Sequence, residues 1–225
     1  MKMPASIRTQ VDGRSLDVEP GANLLAVCLA NGIYIPHLCY LEDMKPATAS
    51  CRLCFVEIEG RSGPVPACTI SVEAPMAVRT RTPAVRRLQT TGLRMLLSVH
   101  RIDCRHCPAN RKCELQRIAK FLGIGLNAGR FERRLKEPEV DVFHPCFDYY
   151  PNRCVLCGKC VLVCRRQHHP IVLTFIKRGF ETAVGCHGVS GSPDRACLDC
   201  RACVDACPVA AIVPRPGGTL HLPGG

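Results

Sequence analysis

Hydrophobic and polar positions change rhythm several times along the chain, and each change predicts an element. Residues 5–18 flank Val11-Asp12-Gly13-Arg14, whose Asp-Gly pair predicts a hairpin of two short strands. Beyond Pro20-Gly21-Ala22, Leu24, Leu25, Val27 and Cys28 share one helical face. A helix is expected from about Asn23 to the stop signal Asn31-Gly32. Cys28 on that face reads as a small buried hydrophobe. Phe55 to Glu59 alternates like a half-buried strand, Gly60 to Gly63 turns, and Met76 to Thr80 reads as a further strand. Helical spacing returns from Pro83 to Val99 through Val85, Leu88, Leu93, Leu96 and Leu97. It recurs from Cys113 to Leu122 through Leu115, Ile118, Ala119 and Leu122. The run Gly123-Ile-Gly125-Leu-Asn-Ala-Gly129 follows a helix rather than a strand and has the wrong spacing for a dinucleotide loop, so it reads as a helix stop and linker. Residues 130–144 are charged and read as a linker. Ile171 to Ile176 is an apolar strand, Gly185 to Pro193 reads as loop, and the Pro- and Gly-rich tail from Pro214 reads as irregular or laid on a neighbour.

Composition narrows the picture. Tryptophan is absent and aromatics make up 5% of 225 residues, so no segment is rich enough for a large apolar core. Domains this small need staples, and the 18 cysteines are the candidates. Disulfides are disfavoured. Met1 to Leu16 has no apolar secretory region, and triplets with two-residue gaps suit thiolates converging on a metal. No apolar stretch reaches the about 18 residues of a membrane span. A soluble, cytoplasmic protein is expected. The net charge of +11 invites a nucleic-acid reading, but it counts cysteines as neutral. Fifteen cluster thiolates and four oxidised cores would bring the loaded protein to about +4. Arg130, Arg133, Arg134, Lys136, Arg165 and Arg166 remain as a solvated basic face or a dock for an acidic partner.

Four cysteine patterns lie end to end. Cys39-x11-Cys51-x2-Cys54-x13-Cys68 approximates the plant-type spacing of a [2Fe-2S] centre, with a zinc ribbon as the alternative. His100-x3-Cys104-x2-Cys107-x5-Cys113 places a histidine ahead of a cysteine triplet. It reads as a [4Fe-4S] site with one His and three Cys ligands, one charge unit less negative than an all-thiolate site. His106 reads as exposed. Cys154-x2-Cys157-x2-Cys160-x3-Cys164 and Cys197-x2-Cys200-x2-Cys203-x3-Cys207-Pro208 are bacterial ferredoxin runs, 43 residues apart. In two-cluster ferredoxins the fourth cysteine of each run ligates the other cluster. One [4Fe-4S] cluster then takes Cys154, Cys157, Cys160 and Cys207, and the other Cys197, Cys200, Cys203 and Cys164. Cys146 and Cys186 read as ordinary thiols. No nucleophile–base set, P-loop or dinucleotide fingerprint is found, so no catalytic residue is expected.

The order of these sites resembles the N-terminal part of the large iron–sulfur subunit of respiratory complex I. It also resembles the N-terminal parts of multi-cluster iron hydrogenases and NAD-linked formate dehydrogenases. His100 with Cys104, Cys113-Glu-Leu-Gln116 and Asn152-Arg-Cys-Val-Leu-Cys157 carry the resemblance. Because the chain stops at Gly225, soon after the last pattern, it looks most like the small diaphorase subunit of the NAD-reducing soluble [NiFe] hydrogenases. Arg165-Arg-Gln-His-His169 departs from the pattern where an acidic residue is expected.

The resemblance and the patterns together predict an α+β chain. Residues 1–82 are expected to form a β-grasp [2Fe-2S] ferredoxin domain, and 83–129 a small helical [4Fe-4S] domain. A linker, 130–144, leads to a 2[4Fe-4S] ferredoxin domain at 145–225. What the resemblance implies is an electron relay through one [2Fe-2S] and three [4Fe-4S] clusters. It would run between a diaphorase subunit carrying FMN and NAD(H) and the small and large hydrogenase subunits. An adapter of a formate dehydrogenase or another flavin-linked reductase is the alternative. A freestanding carrier and a zinc- or cluster-bearing nucleic-acid-binding protein belong to other classes; scarce aromatic platforms argue against the last.

Overall fold

The computed structural model describes residues 6–42, 44–144, 146–167, 173–186 and 200–215. Backbone proximity groups the chain into two compact units, residues 1–94 with 118–125 and residues 95–117 with 126–225.

In the first unit, β1 (Ile7–Val11) and β2 (Arg14–Val18) form the expected hairpin, closed by Asp12 and Gly13 with positive φ. β3 (Ala22–Asn23) leads into α1 (Leu24–Ala30), then β4 (Phe55–Ile58), β5 (Val65–Pro66), β6 (Ser71–Val72) and β7 (Ala77–Arg79). The five-stranded sheet runs β2-β1-β7-β4-β5, with β1 parallel to β7. β3 and β6 pair separately. A hairpin, a helix and a last strand returning beside the first make this a β-grasp sheet. Its core gathers Val11, Leu16, Val18, Leu24, Leu25, Cys28, Ile35, Val56 and Val78. Cys28 is fully buried there, and burial raises its thiol pKa to about 12, with the Asp12 charge adding to the effect.

Two longer helices follow in the chain. α2 (Pro83–Ser98) starts on Thr82, whose hydroxyl accepts the Val85 N–H at 3.2 Å, and proline occupies its first position. α3 (Glu114–Leu122) ends in a Schellman turn: Gly123, at φ 68°, donates to Lys120 C=O and Ile124 to Ala119 C=O.

The second unit is built from short pieces. β8 (Asp141–His144), β9 (Phe147–Tyr149) and β12 (Ile212–Pro214) form a sheet in the order β12-β9-β8. β10 (Leu173–Ile176) and β11 (Ala183–Cys186) form a hairpin. α4 (Lys159–Gln167) and α5 (Ala202–Asp205) carry cysteines. Within residues 130–144, β8 takes Asp141–His144, and Lys136 is buried with its N–H and C=O both bonded to the Asn152 amide. One sequence reading needs correction. Gly185 and Cys186 lie in β11 rather than in a loop. A Cβ on Gly185 would meet Ile176 Cδ1 at 2.6 Å, so glycine lets the facing strand close. Residues 187–193 of that expected loop, residues 171–172 of the expected strand, and the tail from 216 lie outside the described residues.

Candidate metal centres

The first centre lies in the β-grasp unit. Cys39, Cys51, Cys54 and Cys68 are all buried. The Cys39 and Cys51 sulfurs stand 3.5 Å apart. Their hydrogen bond holds Cys39 down at about 4, while the same contact and burial push Cys51 up. Cys54 and Cys68 form a second such pair, with Cys54 raised and Cys68 lowered by their mutual hydrogen bond. Sulfurs that share protons in pairs put negative charge into apolar surroundings, which a soft thiophilic cation neutralises.

Three residues position this cage. The Asn23 Oδ1 caps α1 by accepting from Leu25 and Ala26 N–H, at 3.1 and 3.2 Å. Its Nδ2 donates to Cys68 C=O at 2.7 Å, so one side chain anchors both the helix and the last cysteine. Gly92 on α2 lies under the Cys51–Cys54 arm, where a Cβ would meet Arg52 C=O at 2.6 Å. Arg52 itself, within that arm, has φ 52°. Gly92 was detectable only as an isolated glycine inside a helical pattern.

The second candidate set is His100, Cys104, Cys107 and Cys113, of which the three cysteines act on one another electrostatically. Cys104 opens a single 3-10 turn, Cys107 follows it, and Cys113 precedes α3. Burial raises Cys113, and the Cys107 and Cys104 charges act on it in the same direction. Gln116 pins the intervening loop, accepting from Arg111 N–H at 2.8 Å and donating to Asn110 Oδ1 at 3.0 Å. His100 is buried, and burial lowers its pKa to about 4, so the imidazole is neutral. One of its nitrogens, Nδ1, has no hydrogen-bond partner among the described residues. A neutral ring with an orphaned buried nitrogen suits a metal ligand. His106 is exposed and bonds Asp103 at 2.9 Å. Arg101 N–H donates to Asn152 C=O at 2.7 Å and Glu114 N–H to Pro208 C=O at 3.2 Å. Those bonds tie the second cysteine segment to the third and fourth.

Cys154, Cys157, Cys160 and Cys207 line one mostly apolar pocket with Tyr149 and Val184. Backbone donors face their sulfurs: Leu156 N–H reaches Cys154 Sγ at 3.4 Å, and Ala211 N–H reaches Cys207 Sγ at 3.2 Å. Burial pushes Cys157 up to about 12 and raises Cys154 and Cys160. Cys164, inside α4, receives Leu173 N–H at 3.4 Å. Burial raises Cys203 to about 12, and the Cys164 and Cys200 charges reinforce the shift. Cys197 lies outside the described residues. Arg165 and Arg166 occupy the last turn of α4, where cations complement the helix dipole. Cys186 is half-buried, raised to about 11 first by burial and then by Cys164. Cys146, also half-buried, accepts at its carbonyl from Arg215 N–H at 3.0 Å.

Three of the two-residue arms hold a non-glycine in the left-handed region, Arg52 (φ 52°), Leu156 (φ 50°) and Arg201 (φ 39°), whereas neither Arg105 nor His106 of the Cys104–Cys107 arm does. That conformation costs about 1–2 kcal/mol per residue. Among the described residues no group of three or more His, Cys, Asp or Glu is arranged around a single metal ion. The buried sulfurs, their N–H donors and the neutral imidazole fit polynuclear iron–sulfur clusters, in which different irons take different thiolates.

Comparison with known proteins finds the same domain types in the same order. Residues 5–83 match a 2Fe-2S iron-sulfur cluster binding domain, 89–126 the NADH-ubiquinone oxidoreductase-G iron-sulfur binding region, and 153–211 a 4Fe-4S dicluster domain. A G-type subunit of the NADH-quinone oxidoreductase of Rhizobium meliloti (strain 1021) is 37% identical over 210 residues, covering 93% of this chain and 24% of that protein. NADP-reducing hydrogenase subunit HndD of Solidesulfovibrio fructosivorans is 31% identical, over 90% of this chain and 35% of its own length. The chain thus spans about a quarter to a third of these relatives. A chain of the crystal structure of NAD+-reducing [NiFe]-hydrogenase in the H2-reduced state superposes with a TM-score of 0.78 at 29% identity, covering 97% of this chain and 91% of its own. No helix among the described residues is long and apolar enough to cross a membrane. The chain is an α+β iron–sulfur protein with 2Fe-2S, NADH-G-type and 4Fe-4S dicluster domains, homologous to the G-type subunits of NADH-quinone oxidoreductase and to hydrogenase subunit HndD.

Proposed function

We propose that this chain is an electron-transfer subunit with one [2Fe-2S] and three [4Fe-4S] clusters. It relays electrons between a subunit that binds flavin and NAD(H) and a [NiFe] hydrogenase module. The observation that carries this reading is the pocket shared by Cys154, Cys157, Cys160 and Cys207. It brings together the four cysteines that one crossed ligand set of a two-cluster ferredoxin would use, and Asn152 beside it accepts the Arg101 N–H of the His100 segment. Bound iron–sulfur clusters would supply one-electron redox chemistry. Cys39, Cys51, Cys54 and Cys68 would hold the [2Fe-2S] cluster. His100, Cys104, Cys107 and Cys113 would hold one [4Fe-4S] cluster, the Cys154 group the second, and Cys164, Cys197, Cys200 and Cys203 the third. Buried thiolates and amide donors keep charge and water apart, so a change of one electron needs little rearrangement of the chain. The likeness to the hydrogenase chain supports the choice of partner.

The test is anaerobic purification through a tag on this chain, with metal analysis and mass spectrometry of what accompanies it. Nickel and flavin with hydrogenase subunits are expected. Molybdenum or tungsten without nickel would move the relay to a formate dehydrogenase assembly, and an iron-free eluate would overturn the relay itself.

A further inference from the structure

Lys136 and Tyr149 play no part in holding iron, yet both converge on one cysteine. Tyr149 is fully buried. Its oxygen accepts the Val184 N–H at 3.2 Å, and its ring and Cys154 line the same pocket, together with Cys157, Cys160 and Cys207. Lys136 is buried as well. Its backbone is clamped by Asn152, whose Oδ1 accepts the Lys136 N–H at 2.7 Å and whose Nδ2 donates to the Lys136 carbonyl at 2.9 Å. Asn152 lies two residues before Cys154, so the clamp fixes the lysine relative to that cysteine. The ammonium donates to Thr182 C=O. No carboxylate among the described residues comes within ion-pair distance of it. A buried ammonium without a carboxylate is costly unless another negative charge faces it.

We propose that Lys136 and Tyr149 form a built-in device that raises the reduction potential of the [4Fe-4S] cluster held by Cys154, Cys157, Cys160 and Cys207. This rests on the electron-relay reading. When one electron enters that cluster, its net charge becomes one unit more negative, and no bond forms or breaks. A fixed cation and a hydrogen bond to a ligand sulfur both stabilise the more negative state. The surrounding charges agree: burial disfavours the ammonium, whereas Cys154 and Glu181 favour it and Lys177 opposes it. In this device the cluster would supply the counter-charge that buried Lys136 lacks among the described residues. The device singles out one centre, because no comparable buried cation faces the first centre among the described residues.

The experiment is an EPR-monitored redox titration of the purified holoprotein, with iron content measured in parallel. The variants are Lys136→Met, Lys136→Arg and Tyr149→Phe. Lys136→Met is expected to keep its iron and to shift the reduced-to-oxidised ratio of one [4Fe-4S] signal by on the order of tenfold at fixed potential. That is about 59 mV toward lower potential for one electron. The shifted signal should be the one lost in Cys157→Ala, the [2Fe-2S] signal should stay in place, and Lys136→Arg should restore the wild-type value. Tyr149→Phe should move the same signal in the same direction by less. An unshifted midpoint in Lys136→Met at full iron content would overturn the proposal, as would equal shifts of every cluster. Iron loss in Lys136→Arg as well as Lys136→Met would also overturn it, because the lysine would then be structural. A wild-type protein without cluster signals would sink the electron-relay reading instead.

Discussion

Asn23 shows how much one side chain can decide. It caps α1 and holds the Cys68 carbonyl, so Asn23→Ala removes a cap worth about 1 kcal/mol and a buried side-chain bond of similar size. Urea denaturation of the holoprotein should show a loss of about 2 kcal/mol, with the [2Fe-2S] absorbance released first. Gly92 is a sharper case, because propensity and packing pull in opposite directions. In an exposed helix Gly→Ala stabilises by about 1 kcal/mol. Here the new Cβ meets the Arg52 carbonyl, so Gly92→Ala should lower [2Fe-2S] occupancy and leave the [4Fe-4S] signals intact. A variant more stable than wild type with a full [2Fe-2S] signal would contradict that packing. His144 carries the pH dependence. It is buried against Phe147, and burial, reinforced by Arg215, lowers its pKa to about 4. The unfolded chain therefore binds one more proton than the folded chain between pH about 6.5 and about 4. Stability from this group is complete above that window and falls through it, by at most about 1.4 kcal/mol per pH unit. His144→Phe should flatten the slope of urea stability between pH 7 and pH 5.

The elements of the first unit were readable because each has its own periodicity. The β1–β2 hairpin, α1, α2 and α3 fall within a residue or two of the expected bounds. Stops at Asn31 and Gly123 were local signals as well. The second unit was less legible. β8 and β9 are four and three residues long, too short for alternation to stand out, and they exist because β12 arrives from the far end of the chain to pair with β9. β11 was hidden for a related reason: glycine reads as loop until the Ile176 side chain that packs against it is known. The His100 segment gives an element-scale test. The spacing from His100 to Cys104 suits a ring that replaces one thiolate, so His100→Cys should retain a [4Fe-4S] cluster at lower potential. An unchanged redox titration would remove His100 from the ligand set.

At the scale of the whole molecule the two units differ in what holds them together. The first has a continuous apolar core beneath a five-stranded sheet. The second relies on short strands around cysteine sites, where metal binding contributes folding energy directly. Removing iron with a chelator under reducing conditions should therefore leave amides of β1, β2 and β7 protected from hydrogen exchange. Those of α4, β10 and β12 should lose protection. Uniform loss across both units would show that the β-grasp core does not stand without its cluster.

Cysteine spacing alone determined the order and the chemical class of the iron–sulfur domains, because ligand type and separation along the chain are written in residue types. Only the tertiary structure decided which distant groups meet. Asn23 reaches Cys68, and Lys136 and Tyr149 both come to the neighbourhood of Cys154. These contacts span between 5 and 45 positions, and most of them cross an intervening strand or helix. No local propensity encodes them. They follow from the order in which sheets pair and cores close, which is a property of the folded chain.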